Sequence, residues 1–232
     1  VSAAPLPRWA DLVVLPIVNL AVALLFAGVM VWWVGQDPLV VIRVLLDGAF
    51  GTTRGLSYTL YYATTFIFTG LAVAVAFHGG LFNIGGEGQA ILGGLGTGLV
   101  ALWLSPSLPA WLMLPLMLLA GGLFGMVWAV VPAYLQAYRG SHIVITTIMF
   151  NFLASSLLVY LLVNHLKVPG NMSVESAAFA ASAKLPSMQA FMAALGIDWP
   201  NSPLNTSVFL ALLAAVGVYF LLWHTRLGYD LR

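Results

Sequence analysis

The sequence predicts an all-α fold, a polytopic transmembrane helix bundle with about six spans in a single domain over residues 1–232. Of the 232 residues, 62% are hydrophobic and 6% are charged, whereas a soluble domain carries about 25% charged residues. Runs of about 20 apolar residues recur, which is the length that a helix needs to cross a hydrocarbon core. The short alternating segments of a transmembrane barrel do not occur, and lipid tolerates no third architecture.

Six apolar stretches are long enough to be spans, and turn-forming residues separate them. The first stops at a Gly-Gln-Asp-Pro sequence, and the third ends before a Ser-Pro pair. The predicted spans run from about Leu12 to Val34, Leu56 to Phe77, Ile84 to Leu104, Ala110 to Tyr138, Ile143 to Val163 and Thr206 to Trp223.

Two further segments lie between spans. Leu39–Phe50 places Arg43 and Asp47 one helical turn apart, which predicts an amphipathic helix at the membrane interface. Residues 167–205 contain four prolines, so we expect an extramembrane loop there.

Composition also excludes several function classes. A net charge of +1 offers no basic surface for nucleic acid. Cysteine is absent, which excludes disulfides and thiol chemistry, and no GxxxxGK[ST] phosphate-binding loop is present. No two histidines have metal-ligand spacing. We therefore predict no catalytic residues, metal or cofactor.

The positions of Lys and Arg predict the orientation in the bilayer. Their numbers on the two sides are equal, but Arg139, Arg226 and Arg232 follow closely behind span ends. Since positive residues near span ends favour the cytoplasm, we expect a cytoplasmic N-terminus and an external 167–205 loop.

Small residues form two stripes at helical spacing. One stripe is Gly86, Ala90, Gly94 and Gly98; the other is Gly121, Gly125, Ala129, Ala133 and Ala137. Because small residues let helices approach closely within lipid, we expect both stripes to be packing faces.

Glu87 is the single charged residue between Arg54 and Arg139. A carboxylate in the bilayer centre costs about 2.5–3.5 kcal/mol, so such residues usually face a protein interior or a watery cavity. With Asn83 as N-cap, Glu87 would occupy the first turn of a helix, where the dipole favours an anion. The glycines around it predict a helix break: Gly79, Gly80, Gly85, Gly86 and Gly88. An interrupted helix of this kind marks transporter pathways, but a polar turn at the membrane surface is the alternative.

The same segment, GLAVAVAFHGGLFNIGGEGQ, resembles the signature of ABC-transporter permeases of the simple-sugar and nucleoside import type. The resemblance continues through GQDPLVVIRVLLDGAFGT, GSHIVITTIMFNFLASSLLVYLL and the final TRLGYDLR, so it covers nearly the whole chain. Branched-chain amino-acid permeases resemble the chain less closely, because the GEGQ string is not typical of them.

The chain departs from that family in three places. His78 stands where such permeases often carry Arg, and His142 where they often carry Glu. The ending resembles the start of a cytoplasmic coupling segment, residues 224–232, and implies that Arg226, Gly228 and Arg232 meet the ATPase. Family members continue through several more spans, so we expect this chain to be either a truncated permease or a fragment of a longer one.

The resemblance implies a function and a set of partners. It implies translocation of a nucleoside or simple sugar through a bacterial-type inner membrane, without ATP binding by this chain. The implied partners are an ABC ATPase, a second permease subunit and a periplasmic or lipoprotein substrate-binding protein. Asn83, Gln89 and Asn151 would serve the substrate pathway because amides both donate and accept hydrogen bonds, and Glu87 would accept from hydroxyl groups.

Two alternatives stay open at the level of sequence. A stand-alone secondary transporter or channel could use the same broken helix, with Glu87 as its proton or ion site. Asn151 could make an interhelical hydrogen bond instead of contacting a solute.

Overall fold

The computed structural model describes residues 10–104 and 107–231, without the side chains of residues 11 and 12. The predicted all-α fold is confirmed: the described residues form helices and no strands. The α-helices are α1 (Leu15–Trp33), α2 (Pro38–Phe50), α3 (Thr53–His78), α4 (Gly86–Leu104), α5 (Ala110–Arg139), α6 (Ile143–Leu161), α7 (Met188–Ala194), α8 (Ser207–His224) and α9 (Arg226–Leu231). A π-helical turn precedes α1 at Ala10–Val14, another extends α6 over Leu162–Leu166, and a 3-10 turn covers Ala181–Ala183.

The chain divides into two compact units, Val1–Thr59 and Leu60–Arg232. In the first unit, α1 is a long apolar helix and α2 is the predicted short amphipathic helix. Asp37 caps α2, since its Oδ1 accepts a 2.8 Å hydrogen bond from the Leu39 amide. Arg43 and Asp47 lie 4.0 Å apart on α2, but both side chains are exposed, so this pair contributes little stability.

The second unit is built around α4, which packs against α5 and α6. The α4–α5 contact depends on glycine, because the backbones approach too closely for side chains. A Cβ on Gly93 would lie 3.0 Å from the Gly121 carbonyl oxygen, and one on Gly125 would lie 3.1 Å from the Gln89 carbonyl oxygen. At Gly96 a Cβ would lie 2.5 Å from Phe124 Cγ. Such close approach is the packing that stabilises helix pairs in lipid.

The prediction that the Gly86, Ala90, Gly94 and Gly98 stripe packs α4 against a neighbouring helix is therefore wrong. The adjacent face, with Gly93 and Gly96, is the one that meets α5. Added Cβ atoms on Gly86 and Gly94 would meet nothing within 4 Å, and Ala90, Gly94 and Gly98 instead line a cavity beside α6. The α5 stripe is correct at Gly121 and Gly125. Both α4 faces carry glycine, so the sequence could not show which one meets α5.

Five helices in the described ranges are long and apolar enough to cross a membrane: α1, α3, α5, α6 with its extension, and α8. The predicted third span, α4, forms a helix of 19 residues, about 28 Å long, but it falls outside this group. Its polar first turn and its glycines make it less apolar than the others. An apolar surface is less necessary for α4 because two neighbouring helices cover it.

Residues 167–205 contain only two short helical segments, and the rest of this stretch is irregular. A cluster of Met188, Leu204 and Val208 ties this segment to the start of α8, with Leu60 of α3 packed against it. At the other end of α8 the chain turns sharply into α9. The Thr225 hydroxyl donates to the Leu221 carbonyl and accepts from the Gly228 amide, which fixes this turn.

Candidate functional site

The first half of the helix break is the C-terminus of α3. The Leu81 amide donates to the Ala76 carbonyl over 3.0 Å, and the Gly80 amide donates to the Phe77 carbonyl over 3.1 Å. These two bonds form a Schellman motif, which needs a left-handed residue after the helix. Gly80 supplies it with a φ of 68°. His78 Nδ1 bonds the Ala74 carbonyl oxygen over 2.8 Å, so this ring is held against its own helix.

The second half of the break is the start of α4, and here the predicted N-cap is wrong. Gly85 is the residue that precedes the helix, and its carbonyl accepts from the Gln89 amide over 3.0 Å. Asn83 lies two residues earlier, and its Oδ1 accepts from the Gly85 amide over 2.8 Å. Asn83 therefore forms a turn that leads into the helix, as Asn commonly does. The prediction that Glu87 lies in the first helical turn is correct.

Asn151 of α6 caps α4 from a neighbouring helix. Its Oδ1 accepts from the Gly88 amide over 2.9 Å, and its Nδ2 donates to the Ile84 carbonyl over 3.0 Å. Asn151 is 9% exposed. Its side chain thus satisfies one of the free amides at the helix start, and it joins the residues before and after the start of α4 to α6. Asn151 therefore makes interhelical hydrogen bonds, which was the alternative to a direct contact with the solute.

Trp128 of α5 completes this junction of three helices. A Cβ on Gly88 would lie 2.9 Å from Asn151 Oδ1 and 3.0 Å from Trp128 Nε1. Trp128 Nε1 is buried and has no hydrogen-bond partner within residues 10–104 and 107–231, and its ring packs against Phe150 with centroids 5.3 Å apart. Only glycine fits at position 88 while this junction keeps its geometry.

This geometry predicts different outcomes for two neighbouring glycines. We expect Gly88→Ala to lower the thermal midpoint of the full-length permease, because overpacking costs about 1–3 kcal/mol. Gly86→Ala is the matched control, since an added Cβ there meets nothing within 4 Å, and alanine favours the helix. Thermal unfolding followed by fluorescence-detected size exclusion measures both. Equal midpoints for the two variants would contradict the junction described here.

Glu87 lies exposed in a cavity of about 590 Å³ between α3 and the start of α4. We call it the α3-side cavity. Phe68, Thr69 and Val73 line it from α3. The Glu87 carboxylate has no hydrogen-bond or ion-pair partner among the described residues, so its oxygens are available to a ligand or to another subunit.

A second cavity, of about 480 Å³, lies on the other side of the break against α5 and α6. We call it the α5-side cavity. Asn83 and Gln89 line both cavities, so the segment between them forms a partition. Gln136 of α5 and Thr147 of α6 complete the polar lining of the α5-side cavity.

The break lies well inside the bundle. Its contact on α5, Trp128, is eleven residues before the helix end at Arg139, which is about 16 Å along the axis. Its contact on α6, Asn151, is eight residues after the helix start at Ile143, about 12 Å. Both contacts therefore lie within these two helices and not at their ends.

The predicted coupling residues lie on α9. Arg226 begins this helix, and Gly228 is buried against the end of α8; Arg232 lies outside the described residues. The last described residue, Leu231, reaches the helix break, since its Cδ2 lies 3.5 Å from the position of a Cβ on Gly79. A short path therefore joins α9 to the turn that ends α3.

The sequence hypothesis identified Asn83, Glu87, Gln89 and Asn151, and the structure brings them to one place. It missed Gln136, Trp128 and Thr147. Gln136 was visible as the single amide side chain in the 30 residues of α5. Trp128 carried no such signal, because an aromatic residue in an apolar helix is ordinarily part of the packing.

Comparison with known proteins gives one family. A family model described as the permease component of the branched-chain amino acid transport system matches residues 55–232. No solved structure matches the chain at a significant level.

Three curated relatives align with most of the chain. The glucose ABC transporter permease protein TsgB13 of Haloferax volcanii is 33% identical over 93% of this chain and 56% of its own length. The nucleoside ABC transporter permease protein NupB of Lactococcus lactis is 29% identical over 95% and 60%. The guanosine ABC transporter permease protein NupP of Bacillus subtilis is 34% identical over 81% and 51%. The chain thus spans less than two thirds of the length of each of these relatives.

Proposed function

Because the chain belongs to the family of branched-chain amino acid transport system permease components, we propose that it forms part of the membrane-spanning subunit of an ATP-driven ABC importer. The resemblance to simple-sugar and nucleoside permeases is confirmed by the names of its relatives. The family and the apolar helices make the chain a multi-pass protein of the inner (plasma) membrane. Permease components of ABC transporters are not themselves enzymes, and ATP hydrolysis is assigned to a separate ATPase subunit.

One observation carries the proposal: the start of α4 presents an unpaired carboxylate and two amides to open cavities inside a helix bundle. Glu87 faces the α3-side cavity, while Asn83 and Gln89 line both cavities. Irregular backbone at membrane depth is tolerated where it lines a cavity or is buried in protein. A solute that crosses the bundle here meets polar groups at the point where the helix begins.

The proposed substrate is a nucleoside or simple sugar. Such a solute is neutral and rich in hydroxyl groups, which donate to the carboxylate of Glu87 and exchange hydrogen bonds with the amides of Asn83 and Gln89. The three relatives bear the names of glucose, nucleoside and guanosine permeases, in agreement with this chemistry. In this proposal Asn151 serves the pathway by holding the helix break in place.

The proposed assembly contains a second permease subunit, an ABC ATPase and a periplasmic or lipoprotein substrate-binding protein. The N-terminus and residues 224–232 face the cytoplasm, and the 167–205 loop faces outward and helps the binding protein to dock. Arg226 and Arg232 contact the ATPase, and Gly228, which is buried against α8, serves the coupling segment by forming its turn. The proximity of Leu231 to Gly79 supports a route by which movement at the ATPase reaches the helix break.

Uptake by cells that express the full-length permease with its partners tests this proposal. We expect radiolabelled guanosine or glucose uptake to stop when ATP is depleted and to continue when a protonophore collapses the proton gradient at constant ATP. An ATPase-dead variant of the partner subunit serves as the control. Uptake that ignores ATP but collapses with the protonophore would overturn the proposal in favour of a secondary transporter.

A further inference from the structure

The α5-side cavity has the chemistry of a solute-binding site that is separate from the carboxylate of Glu87. We propose that this cavity binds a neutral, hydroxyl-bearing ring through the amides of Asn83, Gln89 and Gln136, and that Gln136 determines its selectivity. This inference rests on the proposed transport function and identifies where the solute is held. Three amides from three separate segments converge on one cavity of about 480 Å³.

The hydrogen-bonding capacity of these amides is largely unused. Neither Gln89 nor Gln136 has a side-chain hydrogen bond to any residue in the described ranges. Asn83 accepts from the Gly85 amide through its Oδ1, and its Nδ2 donates to no residue in the described part of the chain. Because an amide offers both donors and acceptors, this set can match the mixed pattern of a sugar or of a nucleobase edge.

Pro132 places an apolar surface on the same wall. It lies inside α5, one helical turn before Gln136, and lines the cavity. Its ring can pack against the apolar face of a bound solute, while the Gln136 amide bonds the polar edge.

The lining also explains why the solute should be neutral. Among the residues that the structure describes, no charged side chain lines the α5-side cavity; besides the amides and Thr147, its walls are apolar residues such as Ala129, Ala133 and Ile143. A zwitterionic amino acid would bring two charges into this environment without an ion-pair partner, at a high desolvation cost. A sugar or nucleoside instead places its apolar ring faces on the alanines and its polar edge on the amides.

The kinetic test uses Gln136→Leu in the full-length permease with its ATPase and binding protein. Leucine keeps most of the side-chain volume and removes the hydrogen bonds. We expect the KM for guanosine or glucose uptake to rise about fivefold to tenfold, as for one lost neutral hydrogen bond. The matched control, Gln36→Leu, changes an exposed amide between α1 and α2 and should leave KM unchanged. An unchanged KM for Gln136→Leu would overturn the proposal.

A binding test separates this inference from the transport function. The chain contains no cysteine, so Gln136→Cys can be introduced into the full-length permease once any cysteines outside these 232 residues are replaced. We expect guanosine or glucose to slow labelling of Cys at position 136 by a small maleimide, and leucine to leave it unchanged. Labelling that no solute slows, or complete inaccessibility because another part of the permease fills the cavity, would overturn the site. ATP-dependent uptake would still uphold the proposed function in both cases.

Discussion

Replacement of Glu87 by glutamine is expected to reduce uptake about tenfold or more, because hydrogen bonds to a charged group contribute about 1.5–3 kcal/mol. The carboxylate lies in the α3-side cavity without any partner among the described residues. Glutamine has nearly the same shape, so packing and membrane insertion should be preserved. Initial uptake rates of the full-length complex, divided by the amount of permease in the membrane, give the measurement.

Asp47→Asn is the matched control for this substitution. It also removes one carboxylate, but from an exposed ion pair on α2 that contributes little. We expect normal uptake from it. If Glu87→Gln and the control both give normal uptake, the Glu87 carboxylate does not contribute to transport.

Asn151→Ala is expected to have the largest effect on stability. The substitution removes both hydrogen bonds that join α6 to the helix break. It leaves the buried Gly88 amide without its partner, which costs about 1–3 kcal/mol, and it also removes the part-buried bond to the Ile84 carbonyl. We expect a lower thermal midpoint of the purified permease. We also expect uptake to fall by more than the amount of folded protein does, because Glu87 and Gln89 lose their fixed position.

Asn164→Ala provides the comparison on the same segment. Asn164 is exposed and donates to the Tyr160 carbonyl within its own helix, over 2.8 Å. Its loss should change the midpoint little. Equal thermal midpoints for Asn151→Ala and Asn164→Ala would show that the hydrogen bonds of Asn151 do not stabilise the start of α4. Normal uptake per folded molecule of Asn151→Ala would show that Asn151 does not position the pathway residues.

The sequence was sufficient for the helices and for the location of the break. Apolar runs of about 20 residues, interrupted by glycine and proline, predicted each long helix to within a few residues. The lone carboxylate among glycines identified the candidate site, because a charge at that position requires a reason in an apolar chain. These features are local, and local features can be recognised from neighbouring residues alone.

The tertiary structure decided what the break contacts. Sequence reasoning chose Asn83 as the cap of α4, since it is the nearest suitable residue, whereas Asn151 of another helix makes that contact. It chose the wrong glycine face of α4, and it missed Gln136 in the second cavity. Composition and periodicity determine which segments become helices and where they stop. The rotation of one helix against the next depends on packing between residues far apart in sequence, and that rotation selects which amides line a cavity and which close a backbone turn.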